Sequence, residues 1–268
     1  MKLPAYVQRG EGQMAVFLLH GLGGGKAAWP WQLEALERGG YRAIAWDMPG
    51  YGESEAVAPY TLERLARALE GLMDHVGART RILLGHSLGG MVAQEAYGLY
   101  PEKIHGLILS ATSPAFGKRD GAWQREFLER RLRPLDEGRP MRELAPELVR
   151  GIVGEGADPV GVALATEVMA AVPADTYRAA LAAVTQFDRR DLLPRIRVPT
   201  LLLAGGLDRE APPAMMQKMA ERIPSACYEC LSEAGHLACM ERPEQFNEAV
   251  LRFLAAHFGQ NAPSSMAS

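Results

Sequence analysis

An α/β fold with a mostly parallel central sheet, helices on both faces and an inserted helical cap is predicted by three observations. Short apolar runs alternate with amphipathic helical segments, the runs end in glycine-rich or polar turns, and the alternation lapses between residues 113 and 191 before it resumes. The chain has 268 residues, 48% of them hydrophobic, enough to bury a large core in one α/β domain or one domain with an insertion. The expected division is a core of residues 1–112 and 192–258, a cap of residues 113–191 and a flexible tail of residues 259–268.

The elements follow in order. Met14 to Leu19 is a continuous apolar run, a buried strand feeding the loop His20-Gly21-Leu22-Gly23-Gly24-Gly25, and a helix is expected over Ala27 to Arg38. Arg42 to Trp46 is the next strand, closed by the turn Asp47-Met48-Pro49-Gly50-Tyr51-Gly52. Thr61 caps a helix whose apolar positions Leu62, Leu65, Ala66, Leu69, Leu72, Met73 and Val76 share one face. Ile82 to Leu84 reads as strand, Leu88 to Tyr100 as helix and Ile104 to Leu109 as strand. Between Ser113 and Asp191, Ala, Leu, Met and Arg dominate among the breakers Pro134, Pro140, Pro146, Pro159 and Pro173, which predicts several short helices. Arg130, Arg131 and Arg133 there read as a solvated helix face. A strand at Thr200 to Ala204, a helix near Ala214 to Arg222, a strand near Cys227 to Leu231 and a helix from Pro243 to Phe258 complete the chain.

A formal charge of −3 gives no electrostatic reason to attract nucleic acid or an anionic membrane, so a small neutral or weakly polar ligand is expected. Met1 to Gly10 lacks the apolar stretch of a signal peptide and no run of about 18 apolar residues occurs, which makes the cytoplasm the expected location. The three cysteines, an odd number, argue against a disulfide framework, and Cys227-x-x-Cys230 reads as buried structural thiols. No Lys-Ser/Thr follows the glycine loop at P-loop spacing, Gly21-x-Gly23 lacks the third glycine of a dinucleotide fingerprint, and no H-E-x-x-H occurs. Neither cofactor nor metal is expected. The oligomeric state is open.

Chemistry concentrates at Gly85-His86-Ser87-Leu88-Gly89, where a serine sits between glycines at a strand-to-helix turn, the G-x-S-x-G elbow that exposes an Oγ at the strand's end. A serine hydroxyl needs a base and a group to orient that base. His236 follows the last strand and Asp208 the one before it, so both belong at the carboxyl edge of the sheet with Ser87. Asp47, Glu233 and Glu210 are the competing acids, with Asp47 placed in a turn-forming sequence. Acyl transfer also needs backbone N–H donors for the developing oxyanion, and those of Leu22 and Leu88 are the candidates. His86 is expected to support the turn or line the pocket, and His20 to brace its loop.

With these residues placed, the chain resembles the α/β-hydrolase superfamily, in particular its small capped esterase, lactonase and carbon–carbon hydrolase branch. The motifs are His20-Gly21-Leu22-Gly23, Asp47 to Gly52, Gly85 to Gly90, Val198-Pro199-Thr200 through Asp208, and Gly235-His236 with Glu241-Arg242-Pro243. The resemblance covers Ala15 to about Ser113 and Ile196 to Phe258, and implies Ser87 as nucleophile, His236 as base and Asp208 as its orienter. Serine in place of aspartate speaks against dehalogenation, and Leu237 and His86 depart from the pattern of ring-fission dienone hydrolases. Only one short strand fits before Ala15, so the family's first hairpin is expected to be trimmed. The expected activity is hydrolysis of a small carboxylic ester or lactone through an acyl-enzyme. A carbon–carbon hydrolase or cofactor-free perhydrolase with the same triad, and a non-catalytic receptor on this fold, stand as alternatives. The expected substrate pocket is lined by His86, Phe116, Trp123, Phe127, Met141, Met169 and Leu237.

Overall fold

A computed structural model describes residues 2–117 and 121–259. Seven strands, β1 (Tyr6–Arg9), β2 (Met14–Leu19), β3 (Arg42–Trp46), β4 (Thr80–His86), β5 (Gly106–Ser110), β6 (Thr200–Gly205) and β7 (Ala226–Leu231), form one sheet in the order β1-β3-β2-β4-β5-β6-β7. All neighbours are parallel except β1, which pairs antiparallel with β3. The continuous apolar runs are explained by burial on both faces: Ala15 to Leu19 and Leu107 to Leu109 are wholly inaccessible to solvent.

The flanking helices are α1 (Pro30–Arg38), α2 (Leu62–Val76), α3 (Leu88–Leu99), α8 (Pro213–Ala220), α9 (Ala238–Glu241) and α10 (Pro243–Phe258). Thr61 caps α2 by accepting the Arg64 N–H, and Gly77 ends it in the left-handed conformation at φ 67°. The helix expected from Ala27 begins instead at Pro30, because a short 3-10 turn at Lys26–Ala28 precedes it and proline suits the first helical position. Between β5 and β6 lie α4 (Ala122–Asp136), α5 (Met141–Arg150), α6 (Pro159–Ala170) and α7 (Ala174–Val184). The two ends of this insertion are tied together where Ala115 bridges Asp188 and the Phe116 N–H donates to the Phe187 carbonyl at 3.0 Å. The tail expected from residue 259 lies outside the described residues after Gly259.

The cysteine expectation fails in one respect. Cys227 and Cys230 are exposed, because β7 is the edge strand, and only Cys239 is buried. Three residues apart on a strand, the first two also point to opposite faces. Among the described residues no helix is long and apolar enough to cross a membrane.

Candidate active site

β4 ends at His86 and α3 begins at Leu88, so Ser87 makes the turn alone. Its φ of 52° is a conformation that costs a non-glycine residue of order 1–3 kcal/mol and persists only where surroundings impose it. Here the Ser87 N–H donates to the Ser110 carbonyl at 2.9 Å, and the Ser87 carbonyl accepts from Thr112 Oγ1 at 2.7 Å. A Cβ on Gly85 would lie 2.4 Å from the Gly89 carbonyl oxygen, and one on Gly89 would lie 2.0 Å from that of Leu19. Those obstacles are backbone atoms that cannot swing aside, so the elbow requires both glycines.

Three loops at the carboxyl edge converge on this serine. His236 Nδ1 lies 2.9 Å from Asp208 Oδ2, and His236 Nε2 lies 3.0 Å from Ser87 Oγ. Asp208 Oδ1 accepts the Glu210 and Ala211 N–H groups at 2.8 and 3.0 Å, which leaves Oδ2 for the imidazole. Burial pushes the Asp208 carboxyl up, but the His236 hydrogen bond and charge together with the Ala211 and Glu210 N–H groups outweigh it and hold the pKa below the ordinary value. The charged carboxylate therefore fixes the proton on Nδ1 and turns the Nε2 lone pair toward the serine hydroxyl. Asp47, the competing acid, is occupied elsewhere: it accepts the Lys26 N–H at 2.8 Å, Lys26 Nζ at 2.6 Å and the Glu53 N–H at 3.2 Å within its turn. Glu233 is largely exposed and Glu210 pairs with Arg131.

Both candidate oxyanion donors belong to peptides whose carbonyls are anchored on the far side. His20 Nε2 accepts the Met48 N–H at 2.9 Å, so its proton sits on Nδ1, which donates to the Gly21 carbonyl at 2.8 Å. In a trans peptide the Leu22 N–H then points the opposite way. The Ser87 carbonyl, held by Thr112, does the same for the Leu88 N–H, which as the first residue of α3 has no acceptor within its helix. The glycine loop lies close to Ser87, since a Cβ on Gly21 would sit 3.3 Å from Ser87 Cβ.

A carboxylate to which the sequence assigned no role holds the backbone around His236. Glu241 is 1% exposed. Its Oε2 accepts the Gly154 and Gly235 N–H groups at 2.7 and 2.8 Å, and its Oε1 accepts the Leu237 N–H at 2.8 Å. The His236 N–H itself donates to the Ile152 carbonyl at 2.8 Å. The backbone is thus pinned on both sides of His236, partly by the insertion. The signal was the carboxylate of Glu241-Arg242-Pro243, five residues beyond the histidine.

A cavity of about 160 Å³ opens beside Ser87 and His236, room for roughly one aromatic ring or a short acyl chain. His86, Phe116, Phe127, Met169 and Leu237 of the expected lining stand on its wall, together with the candidate oxyanion residues Leu22 and Leu88. Two expected residues do not. Met141 is buried with Leu144, Ala145 and Val149 on the apolar stripe of α5, which packs on α6. Trp123 is 46% exposed and stacks on Phe127 with ring centroids 5.6 Å apart, outside the lining. Tyr177, Arg131 and Glu210 line the cavity unforeseen. Among the described residues no three His, Cys, Asp or Glu side chains converge as a metal site.

Burial lowers the pKa of His20 to about 4 and that of His86 to about 3, so both rings are neutral at pH 7. An unfolded histidine titrates near 6.5, hence below that pH the unfolded chain binds the extra protons and stability is lost as pH falls. Between pH 7 and 5 each histidine should remove about 2 kcal/mol of unfolding free energy. Urea midpoints at the two pH values check this, and a His86→Gln variant should show the smaller drop. Equal stability at pH 7 and 5 would refute the burial assignment.

Sheet order, elbow and convergent loops together define an α/β hydrolase. Residues 15–243 match the family described as alpha/beta hydrolase fold, and the chain belongs to it. It is 31% identical over 261 residues to the dihydrolipoyllysine-residue acetyltransferase component of an acetoin cleaving system from Pseudomonas putida, which covers 92% of this chain and spans only 65% of that protein's length. The 3-oxoadipate enol-lactonase 2 of Acinetobacter baylyi is 28% identical, over 88% of this chain and 86% of its own. A thermophilic esterase from Thermogutta terrifontis superposes with a TM-score of 0.84 at 30% identity, over 93% of this chain and 92% of that one.

Proposed function

We propose that the chain is a serine hydrolase that cleaves a small carboxylic ester or lactone through an acyl-enzyme. The observation that carries this reading is the unbroken relay Asp208–His236–Ser87, with contacts of 2.9 and 3.0 Å at the mouth of a mainly apolar cavity. Ser87 Oγ attacks the carbonyl carbon as His236 Nε2 takes its proton, and Asp208 stabilises the imidazolium. The oxyanion is received by the Leu22 and Leu88 N–H groups, each worth about 3 kcal/mol of barrier lowering. The C–O bond to the alcohol breaks as His236 returns the proton to the leaving oxygen. Water, deprotonated by the same imidazole, then releases the acid and restores Ser87.

Residues 113–191 act as a cap in this reading, and its Phe116, Phe127 and Met169 contact the acyl or aryl part of the substrate, with His86 and Leu237 on the core side. The esterase and enol-lactonase likenesses support carbonyl–oxygen cleavage, and other relatives include a non-heme bromoperoxidase and a carbon–carbon hydrolase. Labelling with a fluorophosphonate tests the reading: one equivalent bound at Ser87, with loss of aryl-ester turnover in step, is expected. An active chain that labels elsewhere, or a chain that neither labels nor turns over any aryl ester or lactone, would overturn it.

A further inference from the structure

The buried face of α4 carries an arginine. Phe127, Arg131 and Leu135 follow one another at four-residue spacing, and the first and last are 9% and 7% exposed. Arg130 and Arg133 face solvent as expected, whereas Arg131 turns inward and is the only arginine or lysine among the described residues lining the cavity. The expectation that all three form a solvated face is corrected at this one position, and the four-residue register was its signal. Its guanidinium stands 5.4 Å from the centre of the Phe127 ring. It is also close enough to Tyr177 to oppose the rise that burial imposes on that phenol.

Two side chains partner the arginine. One nitrogen donates to Glu210 Oε1 at 2.9 Å and the Tyr177 hydroxyl is a second hydrogen-bond partner, so Glu210 takes one position of a planar fork that suits a two-oxygen carboxylate contact. The cation is the more enclosed member, with its side chain 20% exposed against 39% for Glu210. Glu210 therefore reaches water more easily than Arg131 does, and its release leaves the positive charge facing the cavity. Holding this ion pair in a mainly apolar wall carries a desolvation cost that a use for the charge offsets.

We propose that Arg131 binds a carboxylate of the substrate, with Glu210 as the resident partner that this carboxylate displaces, so that the ester or lactone cleaved is an anionic one. This rests on the serine-hydrolase reading for turnover but not for binding. The recognised chemistry is one carboxylate attached to an acyl or aryl group small enough for the cavity. The cap thereby selects charge while the core supplies the reaction.

Two matched 4-nitrophenyl esters test it, the neutral butyrate and the hydrogen succinate, in which a carboxylate replaces the terminal methyl. After subtraction of spontaneous hydrolysis, the ratio of kcat/KM for succinate over butyrate should fall about 10- to 100-fold in Arg131→Met, the range of a lost charged hydrogen bond. It should fall less in Arg131→Lys and should rise in Glu210→Gln. An unchanged ratio in Arg131→Met, or a shift in the same direction in both Arg131→Met and Glu210→Gln, overturns the proposal and makes the pair a strap between α4 and the Asp208 loop. Calorimetry with N-phenylsuccinamate and N-phenylbutanamide reads recognition without turnover. Preference for the succinamate, lost in Arg131→Met, supports the carboxylate site even if neither ester is cleaved; preference for the butanamide overturns it.

Discussion

Replacing Ser87 with alanine is expected to lower kcat by about 10⁴- to 10⁶-fold, the loss found when a triad nucleophile is removed and only the oxyanion donors and binding remain. The fold should be untouched. Alanine keeps the Cβ and the backbone bonds to Ser110 and Thr112, and the Ser87 side chain makes no capping bond at the start of α3. An unchanged kcat, measured on protein with an unaltered melting curve, would refute the nucleophile assignment. Asp208→Asn belongs to the same test. An amide in place of Oδ2 no longer fixes the proton on His236 Nδ1, and loss of that tautomer costs about 10⁴-fold. Asp47→Asn weakens the bonds to Lys26 and Glu53 and should register as lost stability with a far smaller change in rate. Were Asp47→Asn to cost four orders of magnitude and Asp208→Asn little, the acid would have to be reassigned.

The parts of this molecule that sequence exposes are those where one local rule decides the outcome. Strands buried on both faces must be continuously apolar, so β2 and β3 are recognised at their observed ends. Helix α2 has a threonine cap, a one-sided apolar stripe and a C-terminal glycine, and its limits follow from those three features. The convergence of Ser87, Asp208 and His236 was legible for a topological reason, since consecutive parallel strands deliver their following loops to one edge. The orientation of the inserted helices was not legible in the same way. Whether a side chain on α4 or α5 faces the cavity depends on how the helix is rotated against its neighbours, and periodicity gives only the stripe. Met141 sits on the stripe that α6 covers, while Trp123 and Phe127 share a side of α4 yet only Phe127 reaches the cavity. Charge misled in the opposite sense, because Arg131 is surrounded in sequence by charged residues that do face water.

The position of His236 relative to Ser87 depends on a group that takes no part in the chemistry, and Glu241→Leu should expose this as a loss of several kcal/mol. Leucine leaves the Gly154, Gly235 and Leu237 N–H groups buried without an acceptor, at about 1–3 kcal/mol each, against a total stability of order 5–15 kcal/mol. Such a variant risks not folding, so Glu241→Gln carries the functional test. The glutamine oxygen can keep the two donors now shared by Oε2, which places its NH₂ against the Leu237 N–H, directly after the base. One repelled donor beside His236 should loosen the imidazole and lower kcat about 10- to 100-fold, because displacement of a reacting group by about 1 Å costs on the order of 100-fold. KM should stay close to its original value, since the cavity wall on the cap side is unaltered. The rate of fluorophosphonate labelling should fall by the same factor as kcat, because the reagent needs the same base. A Glu241→Gln enzyme with lowered melting temperature but full kcat and full labelling rate would show that Glu241 holds the loop for stability alone.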